Sequence, residues 1–222
     1  MNHSLLETAV LFHLGIVPVS RTVVTTWGLM TALTIGCWLA TRGLRLAAGS
    51  WQAVIEATVG WIEEQLSSLL NREAGPFLPL LGTLFIFLVV ANISGIVPGI
   101  KAPTASIETS AALTSVIFMS VHIFGVRFQG LGRYLKGYIK PNPILLPLNI
   151  LSEITRSFSL AMRLFGNIMS EELVVAIILA LAGLLVPIPF MAFGILIGLV
   201  QAYIFTVLAA VYIAGGLGAL EK

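Results

Sequence analysis

The stretch LVVAIILALAGLLVPIPFMAFGILIGLVQAYIFTVLAAVYIAGGLGAL, residues 173–220, runs for 48 positions without a charged side chain. A bilayer core needs about 20 apolar residues per helix, so this run holds two passes joined near Gly183, Pro187 and Pro189. Two further charge-free runs, residues 22–41 and 74–100, hold one pass each. Across all 222 residues 58% are hydrophobic and only 10% charged, against roughly 25% charged in an ordinary soluble domain. A mean hydropathy of +1.01 agrees. The chain is a polytopic membrane protein, and a soluble enzyme, a disordered chain and a nucleic-acid module are excluded. A single cysteine, Cys37, rules out a disulfide framework and a cysteine zinc site.

Lipid offers unpaired backbone groups no partner, so the spans are helices. The expected fold is all-α and a single membrane domain over 1–222. An outer N-terminal segment, 1–21, precedes a first span at 22–44. An amphipathic helix at 50–71 lies along the interface, because Glu56, Glu63 and Glu64 alternate with an apolar face. The second and third spans fall within 76–126, separated by a loop at Pro98, Gly99 and Pro103. A basic loop, Arg127 to Asn142, leads to a helical hairpin at 143–218. Its first arm, from near Pro143 to about Leu185, would be roughly 60 Å long, too long for an upright crossing. Five passes put the termini on opposite sides. Arg42, Arg45, Arg72, Arg127, Arg133, Lys136, Lys140 and Lys222 then share one side, and Arg21 and Lys101 the other. The positive-inside rule makes the C-terminus cytoplasmic and the N-terminus external. No basic residue precedes Arg21, so a cleavable signal peptide is not expected, and the simplest address is a bacterial inner membrane.

Arg156 and Arg163 remain, both inside the long helix with Glu153, Glu171 and Glu172. A charge at the bilayer centre costs about 2.5–3.5 kcal/mol on insertion scales, so five on one helix need partners, water or a task. At 100° per residue, Arg156, Ser159, Arg163, Asn167 and Ser170 form one stripe, while Leu160, Leu164 and Ile168 form another. Glu172 points away from Arg163 about 13 Å along the axis, and Glu153 lies ten residues toward the cytoplasm. Arginine stays protonated in proteins. It cannot relay a proton, but it can hold a neighbouring carboxyl group ionised. Such a cation between two aqueous approaches blocks leakage and exchanges ions with a moving carboxylate. Arg156 is either a second charge on that path or the partner of Glu153. His122 reads as a packed or interfacial residue, and no metal-ligand spacing is present.

Ser159-Leu-Ala-Met-Arg-Leu-Phe-Gly-Asn167, followed by Glu171-Glu172-Leu173, resembles the signature of subunit a of F-type ATP synthases. Leu199-Val-Gln-Ala-Tyr-Ile-Phe-Thr-Val-Leu208 is similar to that family's last helix, and the likeness covers roughly Asn92 to Tyr212. The resemblance implies a stator channel subunit without ATP chemistry of its own and without cofactor or metal. Its two half-channels would pass H+ or Na+ to and from the carboxylates of the c-ring, and peripheral-stalk b-type subunits would be its other partners. Arg163 matches the essential arginine, Asn167 and Gln201 the polar residues beside it, and Ser159 the serine one turn earlier. Glu172 matches an ionisable residue of the outer half-channel, and Glu171 is an extra acid to which the resemblance gives no role. Many members carry His or Glu at the place of Gly194, and Glu at the place of Asn149. Glu153, one helical turn from Asn149, is the acid placed to compensate. Gly194 is a mild pointer to sodium, whereas the family as a whole points to protons. A self-contained secondary transporter is the alternative, but the inverted repeats and paired broken helices expected of one are not visible. A static scaffold with its charges paired is the other rival.

Overall fold

A computed structural model describes residues 10–14, 17–42, 49–70, 72–95, 102–139, 144, 146–183 and 186–217. Apolar segments of this length close their backbone hydrogen bonds internally, and seven α-helices result among the described residues. They are α1 (Arg21–Thr41), α2 (Ser50–Leu70), α3 (Leu78–Ser94), α4 (Ile107–Gln129), α5 (Leu131–Ile139), α6 (Leu146–Ala182) and α7 (Pro187–Gly216). α1, α4, α6 and α7 are long and apolar enough to cross a membrane. α3 is apolar but only 17 residues long, about 25 Å, near the lower limit for a pass. The protein is a multi-pass, all-α membrane protein.

Before α1, β1 (Val10–Leu14) and β2 (Val17–Ser20) pair antiparallel. β-Branched valines at 10, 17 and 19 favour the extended backbone. The basic stretch 127–142 is not a loop where it is described, because α4 continues through Arg127 to Gln129 and α5 follows. Gly130, with φ +80°, makes the turn that L side chains resist. α5 then forms because its apolar residues share a face, with Tyr134 buried against Gly125 of α4. Lys140 to Asn142 lie outside the described residues, as do Pro98 and Gly99. Pro187 and Pro189, expected in the turn ahead of a span starting at Phe190, instead open α7, whose first turn has no internal use for their missing N–H groups. The turn between the hairpin arms keeps Gly183 at φ +77°.

α2 shows the expected one-sided burial. Ile62, Leu66 and Leu70, spaced by four, enter the core while Glu56, Glu63 and Glu64 stay exposed. α4 starts on Ser106, whose Oγ accepts from the Thr109 N–H at 3.3 Å. The Ser20 hydroxyl reaches Glu108 Oε2 at 3.2 Å and ties the hairpin end to α4.

The centre of the fold is α7. Gly194, Gly198, Ala202, Ala209, Ala210 and Ala214 are buried along it. Between helices in lipid there is no hydrophobic drive, so close van der Waals approach through small residues does the joining. α3 meets α7 at Gly198, where Asn92 Nδ2 donates to the Gly198 carbonyl at 2.7 Å. α4 meets it at Gly216, whose carbonyl accepts from Gln129 Nε2 at 2.9 Å. Phe77, beside Phe124 and Phe128 with ring centroids 4.9 and 5.4 Å away, closes one end of the core.

A Cβ at Gly198 would lie 2.9 Å from the Asn92 Cβ, so Gly198→Ala forces α3 and α7 apart. Gly60 on α2 has nothing within 4 Å. Thermal dissociation of the detergent-solubilised complex should therefore drop for Gly198→Ala and hold or rise for Gly60→Ala.

Candidate functional site

α6 runs unbroken for 37 residues, about 55 Å. Its interior has no proline, and its one internal glycine, Gly166, meets open space. The two stripes seen in the sequence separate as the 3.6-residue period requires. Leu160, Leu164 and Ile168 are buried at 1%, 0% and 4% exposure. Arg156, Ser159, Arg163, Asn167 and Ser170 all face outward. Among the described residues the Arg163 guanidinium has no ion pair or hydrogen bond. The described residues thus offer the exposed Arg163 side chain no static partner.

Next to Arg163, Asn167 Nδ2 donates to Gln201 Oε1 at 2.7 Å and joins α6 to α7. Gln201 is 2% exposed, and its Nε2 has no partner among the described residues. Such a buried amide donor costs about 1–3 kcal/mol if nothing meets it. Toward one end of α6, Glu172 Oε1 accepts from the Ala102 N–H at 3.1 Å, and Glu171 lies against Gly194. Toward the other end, Glu153 Oε1 is 3.8 Å from His122 Nε2, while Arg156 stacks over the Tyr212 ring at 4.9 Å. An open groove of about 450 Å³ runs there, lined by Leu148, Leu151, Ser152, Thr155, Arg156, Ser159 and Tyr212. Arg163 therefore stands between two polar clusters about 12–15 Å away on either side along α6.

Several residues of this arrangement escape the sequence. Thr104 Oγ1 donates to Asn92 Oδ1 at 2.7 Å, and Ser110 Oγ to the Thr104 carbonyl at 3.1 Å. With the Asn92–Gly198 bond these link α3, α4, α7 and the 3-10 turn at Pro103–Ala105. Asn92 had a usable signal, being an amide inside a charge-free run; Thr104 and Ser110 had none. His122 is packed as expected, its ring 4.4 Å from Phe118 and Nδ1 2.8 Å from the Phe118 carbonyl. Its approach to Glu153 was not foreseen. Asn149 is half-buried one turn before Glu153. The described residues contain no group of three or more metal-ligating side chains.

The family model described as ATP synthase A chain matches residues 23–214. The chain belongs to that family. ATP synthase subunit a 2 of Bradyrhizobium sp. (strain BTAi1) is 55% identical over 222 residues, covering both chains completely. ATP synthase subunit a 2 of Pelobacter propionicus is 46% identical over 96% of this chain and 94% of its own length. ATP synthase subunit a of Legionella pneumophila is 43% identical over 95% and 92%. As a subunit a family member, the chain is the stator channel component of a rotary F-type ATP synthase and works in complex with the other subunits. The self-contained transporter is not favoured.

The Asn167–Gln201 bond predicts coupled behaviour. Asn167→Leu and Gln201→Leu should each lower the temperature at which this subunit leaves the solubilised complex. The double variant should lose no more than the worse single one, because both remove one shared contact.

Proposed function

We propose that this subunit carries two offset half-channels that meet the rotor's c-ring at Arg163. The single observation behind this reading is the outward polar stripe of α6 with an unpaired arginine at its centre. A charge so placed is expensive in lipid and gains its partner only when a carboxylate of the ring passes. The cation then favours the ionised ring carboxylate and releases its ion. Because arginine does not give up its proton, it also separates the two aqueous routes.

The inner route follows the groove of Ser152, Thr155, Arg156 and Ser159, with Glu153 behind it at His122. Cation–π contact with Tyr212 keeps the Arg156 charge to one side of that groove. The outer route passes Glu172 and Glu171 toward Asn167 and Gln201, beside the hydroxyl and amide network of Thr104, Ser110 and Asn92. The orphaned Gln201 amide supports a hydrated approach, since water is the ordinary partner of buried polar groups. The hairpin 143–218 faces the ring, b-type stalk subunits bind elsewhere on the single membrane domain, and the chain sits in a bacterial inner membrane with its C-terminus cytoplasmic. Protons are the coupling ion on this reading. Each one crossing contributes about 2.3 kcal/mol per 100 mV.

Two measurements on the whole complex in liposomes test this. Arg163→Gln should leave assembly and ATP hydrolysis intact and abolish ATP-driven pumping; a variant that still pumps refutes the arginine's role. In the parent complex, ATP should drive acidification that a protonophore collapses, with no uptake of radiolabelled sodium. Sodium uptake that persists with the protonophore replaces protons by sodium.

A further inference from the structure

The short helix α5 leaves two kinds of side chain uncovered. Leu131 and Leu135 are 60% and 52% exposed, and Arg133 and Lys136 are exposed on the same helix. At 100° per residue the two leucines lie about 40° apart, with Tyr134 on one flank and Lys136 on the other, and Arg133 beyond Lys136. Tyr134 is buried. Its ring occupies the space that a Cβ at Gly125 would need, and it meets the His122 ring edge-on at 6.0 Å. Gly125 lies four residues before α4 ends at Gln129, about 6 Å back along the axis. α5 therefore doubles back beside the last turn of a membrane-crossing helix instead of projecting into water.

Charge around α5 has one sign. Between Glu108 and Glu153 the sequence holds no acid, and its Lys and Arg residues there are Arg127, Arg133, Lys136 and Lys140. Arg127 is exposed in the last turn of α4. Among the described residues no ion pair reaches Arg127, Arg133 or Lys136.

We propose that α5 is a docking site for anionic phospholipid. Leu131 and Leu135 enter the boundary between headgroups and acyl chains, and Lys136, Arg133 and Arg127 hold the phosphates. The inference stands apart from the channel reading and needs only that α4 crosses the bilayer. Two observations choose lipid over a protein partner. The contact of Tyr134 with Gly125 already holds the helix at the level of the membrane surface. At that level the leaflet presents what the two free faces match, an acyl boundary and a layer of negative charge. A protein partner would have to supply an apolar socket and opposed carboxylates together. Basic side chains bridge the two layers, since their stems lie on apolar surface while the charge stays at the phosphates. Seating Tyr134 does not by itself account for the sequence, because a helix with that task alone would carry polar residues at 131 and 135.

Photo-crosslinking in the whole complex tests this, with the photoreactive residue p-benzoylphenylalanine in place of Leu135. The complex is placed in vesicles of phosphatidylcholine and phosphatidylglycerol at equal mole fraction and illuminated, and adducts on this subunit are identified by mass. Phosphatidylglycerol adducts should exceed phosphatidylcholine adducts about fivefold or more at low salt. At about 1 M salt, where charges are screened within about 3 Å, the preference should fall toward parity. Arg133→Gln with Lys136→Gln should remove it at low salt. The same photoreactive residue at Leu131 gives an independent reading one turn away. Equal yields of the two lipids at low salt overturn the headgroup recognition. Adducts to another subunit overturn the lipid docking and make α5 a protein interface. An assembled complex with no adduct at either position, while the residue placed at Met30 of α1 cross-links lipid, puts α5 in water and overturns the proposal as well.

Discussion

A guanidinium that keeps its proton, set midway along a helix surrounded by lipid and apolar neighbours, is the constraint from which the other features follow. α6 must be long and unbroken to hold Arg163 at depth while reaching polar groups at both ends. Its leucine stripe must be gripped from behind so that the polar stripe stays outward. Leu160 and Leu164 supply that grip as part of the apolar core shared with α2, α3, α4 and α7. Energy lost in holding one charge unpaired is offset by many small contacts elsewhere.

Those contacts centre on α7, whose glycines and alanines bring backbones together where hydrophobic collapse gives no help. The same closeness determines where polar side chains can go. Asn92 reaches the Gly198 carbonyl because no Cβ intervenes, and Glu171 finds room because Gly194 has none. The same small residues serve packing and the placement of polar side chains, so the two cannot be altered separately along this seam.

Much of this was legible in the residues themselves. Charge-free runs marked the helices because lipid penalises charge without regard to neighbours, and the 100° rule separated the leucine stripe from the arginine stripe before any fold was known. Tertiary pairing was not legible. Asn92, Thr104 and Ser110 lie on separate elements, and nothing local says that they will meet. α5 was hidden because Arg133 and Lys136 dominate a short segment whose helicity depends on Tyr134 finding Gly125. The Gly194 position looked like a loss in one dimension; beside Glu171 it is a place taken by a side chain from another helix.

α1 and α7 are both long and apolar enough to cross a membrane, yet they are held in opposite ways. No residue of α1 is buried within the chain, and Trp27, Met30, Trp38 and Leu39 face outward, whereas α7 hides a row of its smallest side chains. Selection therefore acts on α1 through oiliness and on α7 through shape. Over generations α1 is free to exchange one bulky apolar residue for another, while α7 changes only together with the helix it touches. Of two segments that length and composition both mark as membrane spans, one drifts and the other carries a record of its neighbours.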